Sequence, residues 1–91
     1  MPECHVSVRW PDGAAEDVYS PSTVVGRHFA VGASYPVGEF VDRSRAALRA
    51  ASHRVEARYG KPCSSAAASL RAVEARAAGF DRGEVTVEGI G

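Results

Sequence analysis

Cys4-His5-Val6-Ser7-Val8-Arg9-Trp10-Pro11-Asp12-Gly13-Ala14-Ala15-Glu16-Asp17-Val18-Tyr19-Ser20 is the stretch on which the reading of the fold turns. Its first part alternates: Cys4, Val6, Val8 and Trp10 fall on one side, His5, Ser7 and Arg9 on the other. That is the period of a half-buried strand. Pro11-Asp12-Gly13 then reverses the chain, proline presetting φ and glycine accepting a positive φ. Residues 16–20 read as the return strand, with Asp17 and Tyr19 on one face and Glu16 and Val18 on the other. The pattern leaves open which of those faces is buried. The chain therefore opens with a β-hairpin.

Beyond the hairpin, Pro21 ends the second strand because it has no amide hydrogen for a ladder. Thr23-Val24-Val25 fits either a strand or a short helical turn capped by Ser20 with Pro21 at its first position, and the turn is the reading adopted. Gly26, Gly32 and Ser34 mark a loop in which Phe29 and Val31 are the expected packing anchors.

A helix follows. Pro36 suits its start and Glu39 its first turn. Val37, Phe40, Val41, Ser44, Leu48, Ala51, Val55 and Tyr59 form one apolar stripe at helical spacing. Gly60 stops it and Pro62 prevents continuation, giving a helix about 34 Å long. Ala46, Ala50, His53 and Ala57 form a second strip between Arg43 and Arg54. Small residues there admit a close neighbour, either the next helix or a partner chain, and equally suit a solvated surface. Ser64 or Ser65 can cap a second helix with Ala66, Leu70, Val73 and Ala77 as its apolar face and Gly79 as its stop. The short link between them requires an antiparallel helical hairpin. Residues 84–88 alternate again and read as a strand that completes a three-stranded antiparallel sheet with the hairpin, that pairs with another chain, or that is a frayed end. The first is preferred because two strands alone make a weak sheet. The expected architecture is a single α+β domain over residues 1–91, its small sheet packed against a two-helix antiparallel hairpin.

Composition narrows the function classes. The core is thin: sixteen alanines and twelve valines accompany only two leucines and one isoleucine. Small domains short of apolar area commonly gain it from a partner, so a homodimer is expected. Eleven basic residues balance eleven acidic ones, and general nucleic-acid binding needs a basic excess. The first residues carry no basic region followed by an apolar run, and no segment has the length of a membrane span. These features point to a cytoplasmic protein with no membrane association, in which Cys4 and Cys63 are reduced thiols.

The chain also resembles a family, the small bacterial nitrogen starvation response proteins. The resemblance rests on Met1-Pro2-Glu3, Val8-Arg9-Trp10-Pro11-Asp12-Gly13, Tyr19-Ser20-Pro21-Ser22, Tyr35-Pro36, Phe40-Val41, Arg43-Ser44, Ala47-Leu48, Ala51-Ser52, Arg54-Val55, Tyr59-Gly60 and Cys63-Ser64. It extends from residue 1 to about residue 78, and the tail from Asp81 carries none of it. It implies a setting of nitrogen limitation. It also implies partnership with products of a gene cluster that contains a nitrilase and serves nitrile or cyanide nitrogen use. It implies no catalytic residues.

Candidate chemistry is sparse. Cys4, His5, His28, His53 and Cys63 could ligate a metal, but none forms the local pair usual in structural zinc sites, so no metal is expected. Cys63 precedes a helix, whose dipole favours a thiolate, but contact with a histidine such as His53 is not dictated, and a small cap at the turn is the plainer role. Arg9 and Trp10 suit an exposed recognition corner, though Trp10 as core anchor is the stronger reading. With no catalytic residue or cofactor indicated, the expected function is that of a non-enzymatic accessory or interaction protein. The alternative is a small ligand-binding protein or enzyme with its site in the 22–35 region, formed by Arg27, His28 and Tyr35.

Overall fold

The structure, a computed structural model, describes residues 4–20, 23–60 and 64–91, apart from the side chain of Tyr59. The hairpin forms as its alternation dictates. β1 (Cys4–Arg9) and β2 (Ala15–Ser20) pair antiparallel in unbroken register, from Cys4 opposite Ser20 to Arg9 opposite Ala15. Cys4, Val6, Val8 and Trp10 are buried, and on β2 it is the Val18 and Ser20 face that turns inward. The turn closes through Trp10, whose amide donates to the Ala14 carbonyl and whose carbonyl accepts from Gly13. Asp12 Oδ1 accepts from the Ala14 amide, the local side-chain bond that makes aspartate a turn former.

Thr23–Arg27 is a 3₁₀ helix, the turn rather than the strand, and its Val25 is buried. The proposed Pro21 start lies outside the described residues. Phe29 is a core residue as expected. Val31 is not: it is the one large hydrophobic left exposed among the described residues, at 61%. Its turn carries Gly32 at φ 88°, and the Gly32 amide donates to Val87. The backbone, rather than the Val31 side chain, ties this loop to the sheet.

That tie introduces a strand the periodicity did not reveal. β3 (Ser34–Pro36) pairs antiparallel with β4 (Glu84–Ile90), Tyr35 opposite Val85. The sheet thus has four strands in the order β2-β1-β4-β3. β4 lies between β1 and β3, with a register shift opposite Ser7 and Val8. Three residues are too few to show an alternation, and Pro36 is tolerated because β3 is an edge.

α1 (Val37–Tyr59) and α2 (Ser64–Ala77) cover one face of the sheet. Gly60 caps α1 in the left-handed region at φ 78°, its amide donating to Glu56 O at 2.7 Å. The buried side of α1 is Val37, Phe40, Ser44, Ala47, Leu48 and Ala51. Val41 and Val55 are half-buried. Ala66, Val73 and Ala77 of α2 are buried as its spacing requires. Arg45 joins the helices through Glu74 at 2.9 Å while also reaching Asp42. The hydrogen bond that Arg45 donates to the Glu74 carboxylate raises the Arg45 pKa above its ordinary value. Among the described side chains full burial on α1 ends at Ala51, so the last turn before Gly60 extends beyond the core, in a molecule 38 × 23 × 17 Å across.

An aromatic cluster joins the layers. Trp10 meets Phe40 edge to face, with centroids 5.4 Å apart, and stacks on Phe80 at 5.8 Å. Phe29 touches both Tyr35 and Phe40. Such pairs add about 0.5–1.5 kcal/mol each beyond area burial, a large share for so small a core.

Candidate functional site

Three places carry the residues that sequence reasoning singled out. At the first turn, Trp10 is only 2% exposed, which makes it the core anchor and not a recognition corner. Arg9 lies outside, its Nε on Glu88 at 3.0 Å and a terminal nitrogen on the Gly13 carbonyl at 2.6 Å. Arg76 reaches Asp12 at 2.8 Å and lies over the Trp10 and Phe80 rings. The turn is thus bound to β4 and to the end of α2.

The second place is the loop with Arg27, His28 and Tyr35. Arg27 ends the 3₁₀ helix and is exposed; His28 is half-buried; Tyr35 on β3 is buried. The Tyr35 hydroxyl accepts from the Ala30 amide at 3.0 Å. Arg43 of α1 lies over the Tyr35 ring, 4.5 Å from its centroid, and donates to the His28 carbonyl at 3.0 Å. Arg43 in turn is held by Glu39 at 2.9 Å, one turn earlier on the same helix. Tyr35 and the His28 backbone are therefore brought together, while among the described residues neither the His28 ring nor Arg27 makes a contact in that arrangement. The polar groups satisfy one another and fasten the loop to α1. The apolar pocket nearby, between Val6, Val25, Phe29 and Phe40, measures about 10 Å³, room for no more than about one water molecule.

Arg43 is the residue that sequence reasoning missed here. The Glu39–Arg43 spacing was visible, but its contacts lie 8 and 15 residues back along the chain, at Tyr35 and His28. Only the folded arrangement brings them together.

The third place is the outward face of α1. Ala46, His53 and Ala57 are exposed and Ala50 is half-buried. α2 does not cover them; it packs along the neighbouring side of α1, where Leu48, Ser52, Ala66 and Leu70 border a groove. Of the flanking arginines, Arg43 is engaged inward, whereas Arg49, Arg54 and Arg58 make no ion pair among the described residues.

The outer face of the sheet is a set of polar pairs. Ser7 donates to Asp17 at 2.9 Å, Ser34 and Thr86 share a hydrogen bond at 2.8 Å, and the His5 and Tyr19 rings lie 5.7 Å apart. Among the described residues, no three His, Cys, Asp or Glu side chains cluster as metal ligands do. Cys4 is a buried free thiol. Cys63 lies outside the described residues. No helix among them is long and apolar enough to cross a membrane.

Fold and surfaces together define a small α+β protein, a four-stranded antiparallel sheet with one helical hairpin across it and exposed helix and strand edges. Its family is shown by sequence. The family model for NitG, the nitrogen starvation-induced protein, matches residues 5–90, and the chain belongs to that family. The match includes the β4 tail, which the recognised motifs did not reach. No curated protein and no solved structure matches the chain.

Proposed function

We propose that this NitG-family chain is a non-enzymatic interaction protein that self-associates through the outward face of α1. We further infer that it serves, as an accessory, the enzymes of nitrile or cyanide nitrogen use encoded with a nitrilase. The family description says when such a protein is induced, and the uncovered face of α1 supports the interaction reading. The observation that carries the reading is the strip of Ala46, Ala50, His53 and Ala57, left uncovered along a helix that runs past its own core. Small side chains let a second helix approach closely, and a domain whose core is built mainly of valine and alanine gains most from the area so buried. The resemblance to proteins of a nitrilase cluster supports the choice of metabolic setting.

Sedimentation velocity tests the first part. Wild-type protein should sediment as a dimer at micromolar concentration, and Ala50→Arg as a monomer with an unchanged circular dichroism spectrum. A wild type that remains monomeric across that range sinks the reading. Co-purification of the nitrilase-cluster enzymes from nitrogen-starved cells tests the second, and depends on neither variant.

A further inference from the structure

Among the described residues the hairpin strand β2 is an edge of the sheet, paired only with β1. At the opposite edge β3 is protected by being three residues long and ending in Pro36. β2 has neither device: it is six residues long, free of proline, and regular along its register. The Trp10 amide bonds the Ala14 carbonyl, and antiparallel bonding alternates from there. The alternation turns the amides and carbonyls of Glu16 and Val18 toward β1, and those of Ala15 and Asp17 toward the open edge.

α2 overhangs that edge with small side chains. Ala68, Ser69 and Ala72 form, with residues 16–19 of β2, a groove of about 250 Å³. Its charge has one sign. Glu16 lies on the helix-facing side of the strand and Asp17 on the outer side, so a carboxylate stands on each face of the edge. Among the described residues Glu16 makes no ion pair, Asp17 has only the Ser7 hydroxyl, and no basic residue lines the groove.

We propose that the β2 edge is a docking site for an extended segment of a partner protein bearing two adjacent basic residues. The segment adds a fifth strand beside β2, donating to and accepting from the Ala15 and Asp17 backbone. Successive side chains of a strand point to opposite faces. An adjacent Arg–Lys pair therefore places one cation against Glu16, under α2, and the other against Asp17 on the outer face. Residues neighbouring the pair on the helix side pack on Ala68 and Ala72, which leave them room. A second copy of this chain fits poorly, because symmetric pairing about Asp17 brings two copies of that carboxylate face to face.

This inference rests on the interaction-protein reading but not on the α1 face, so the experiment uses the monomeric Ala50→Arg variant as well as wild type. The probe is a seven-residue peptide of alternating valine and threonine with Arg–Lys at its centre. The controls are the same peptide with Glu–Asp there, and the basic peptide N-methylated along one edge. The basic peptide should shift the amide resonances of residues 15–19 and 68–72 and slow exchange at Ala15 and Asp17 by about tenfold or more. The acidic and N-methylated peptides should do neither, and Glu16→Lys/Asp17→Lys should reverse the preference toward the acidic peptide. Equal binding of the N-methylated peptide would reduce the site to an acidic patch and overturn the proposal. So would an absence of shifts at millimolar peptide, or exchange at Ala15 and Asp17 that slows with protein concentration alone, the mark of a second copy on the edge. Failure here with dimerisation intact leaves the α1 reading standing; the reverse result separates them equally well.

Discussion

Trp10 is the largest fully buried side chain among the described residues, and it carries a cost. Its ring is 2% exposed between Phe40 and Phe80, yet its indole Nε1 is buried with no hydrogen-bond partner among the described residues. An unsatisfied buried donor costs about 1–3 kcal/mol, which offsets part of what the ring's burial contributes. The two effects separate by substitution. Trp10→Ala should lose about 3–5 kcal/mol, a large share of the stability of a domain of this size. Trp10→Phe, which leaves a smaller void and removes the stranded N–H, should lose roughly 1–2 kcal/mol. Urea unfolding of both variants checks this, and a Trp10→Phe loss well above about 2 kcal/mol would show that Nε1 is satisfied. Gly83 is a second residue with a sharp constraint. It has φ 109°, and a Cβ added there would lie 2.7 Å from Pro11 Cβ and 2.9 Å from Pro11 Cγ. Strain in φ and a contact below van der Waals distance add, so Gly83→Ala should cost about 2–3 kcal/mol. Gly89→Ala, whose Cβ would meet nothing within 4 Å, should change stability little and serves as the control.

Among the elements, the junction of β3 and α1 depends on Arg43 and Tyr35. Tyr35→Phe removes the acceptor of the Ala30 amide and should cost about 1 kcal/mol, with faster exchange at the Ala30 amide as its local sign. Arg43→Lys keeps the charge but loses the planar group that covers the Tyr35 ring, and should loosen the same loop by a similar amount. An unchanged Ala30 exchange rate in both would show that the loop is held by Phe29 packing alone. This junction also marks how far the sequence could be read. The hairpin, both helices and β4 were legible because each carries several turns or pleats of its own pattern: Cys4, Val6 and Val8 declare a strand, and Val37 through Ala51 declare a helix face. β3 was hidden because Ser34-Tyr35-Pro36 is defined by its partner, not by its own period. Val31 was misread for a related reason: its loop is held by the Gly32 amide on Val87, so its side chain is free to point outward. The α1 strip was visible as small residues, while the open β2 edge was not, since edges are a property of strand order.

At the scale of the molecule, the question is how a small sheet and hairpin reach useful stability. The core is a chain of aromatic contacts set among valine and alanine, and the ion pairs around it are exposed: Arg9–Glu88, Arg43–Glu39 and Arg76–Asp12 each keep a third or more of their side-chain surface in solvent. Pairs of that kind contribute about 0–1 kcal/mol apiece and do not substitute for a core. If the α1 face supplies the missing burial through a second copy, stability must depend on protein concentration. At a hundredfold excess over the dissociation constant, association adds about 2.7 kcal/mol, which corresponds to roughly 10–20 °C in melting temperature for a domain of this length. Thermal melts of wild type should therefore rise steadily as concentration is increased through the dissociation constant. Ala50→Arg should melt at the wild-type low-concentration value throughout, because Ala50 is only half-buried and the longer side chain can turn to solvent. A concentration-independent wild-type melt would place the whole stability in the monomer, and the exposed strip on α1 would then be a solvated face stabilised by alanine's helix propensity alone.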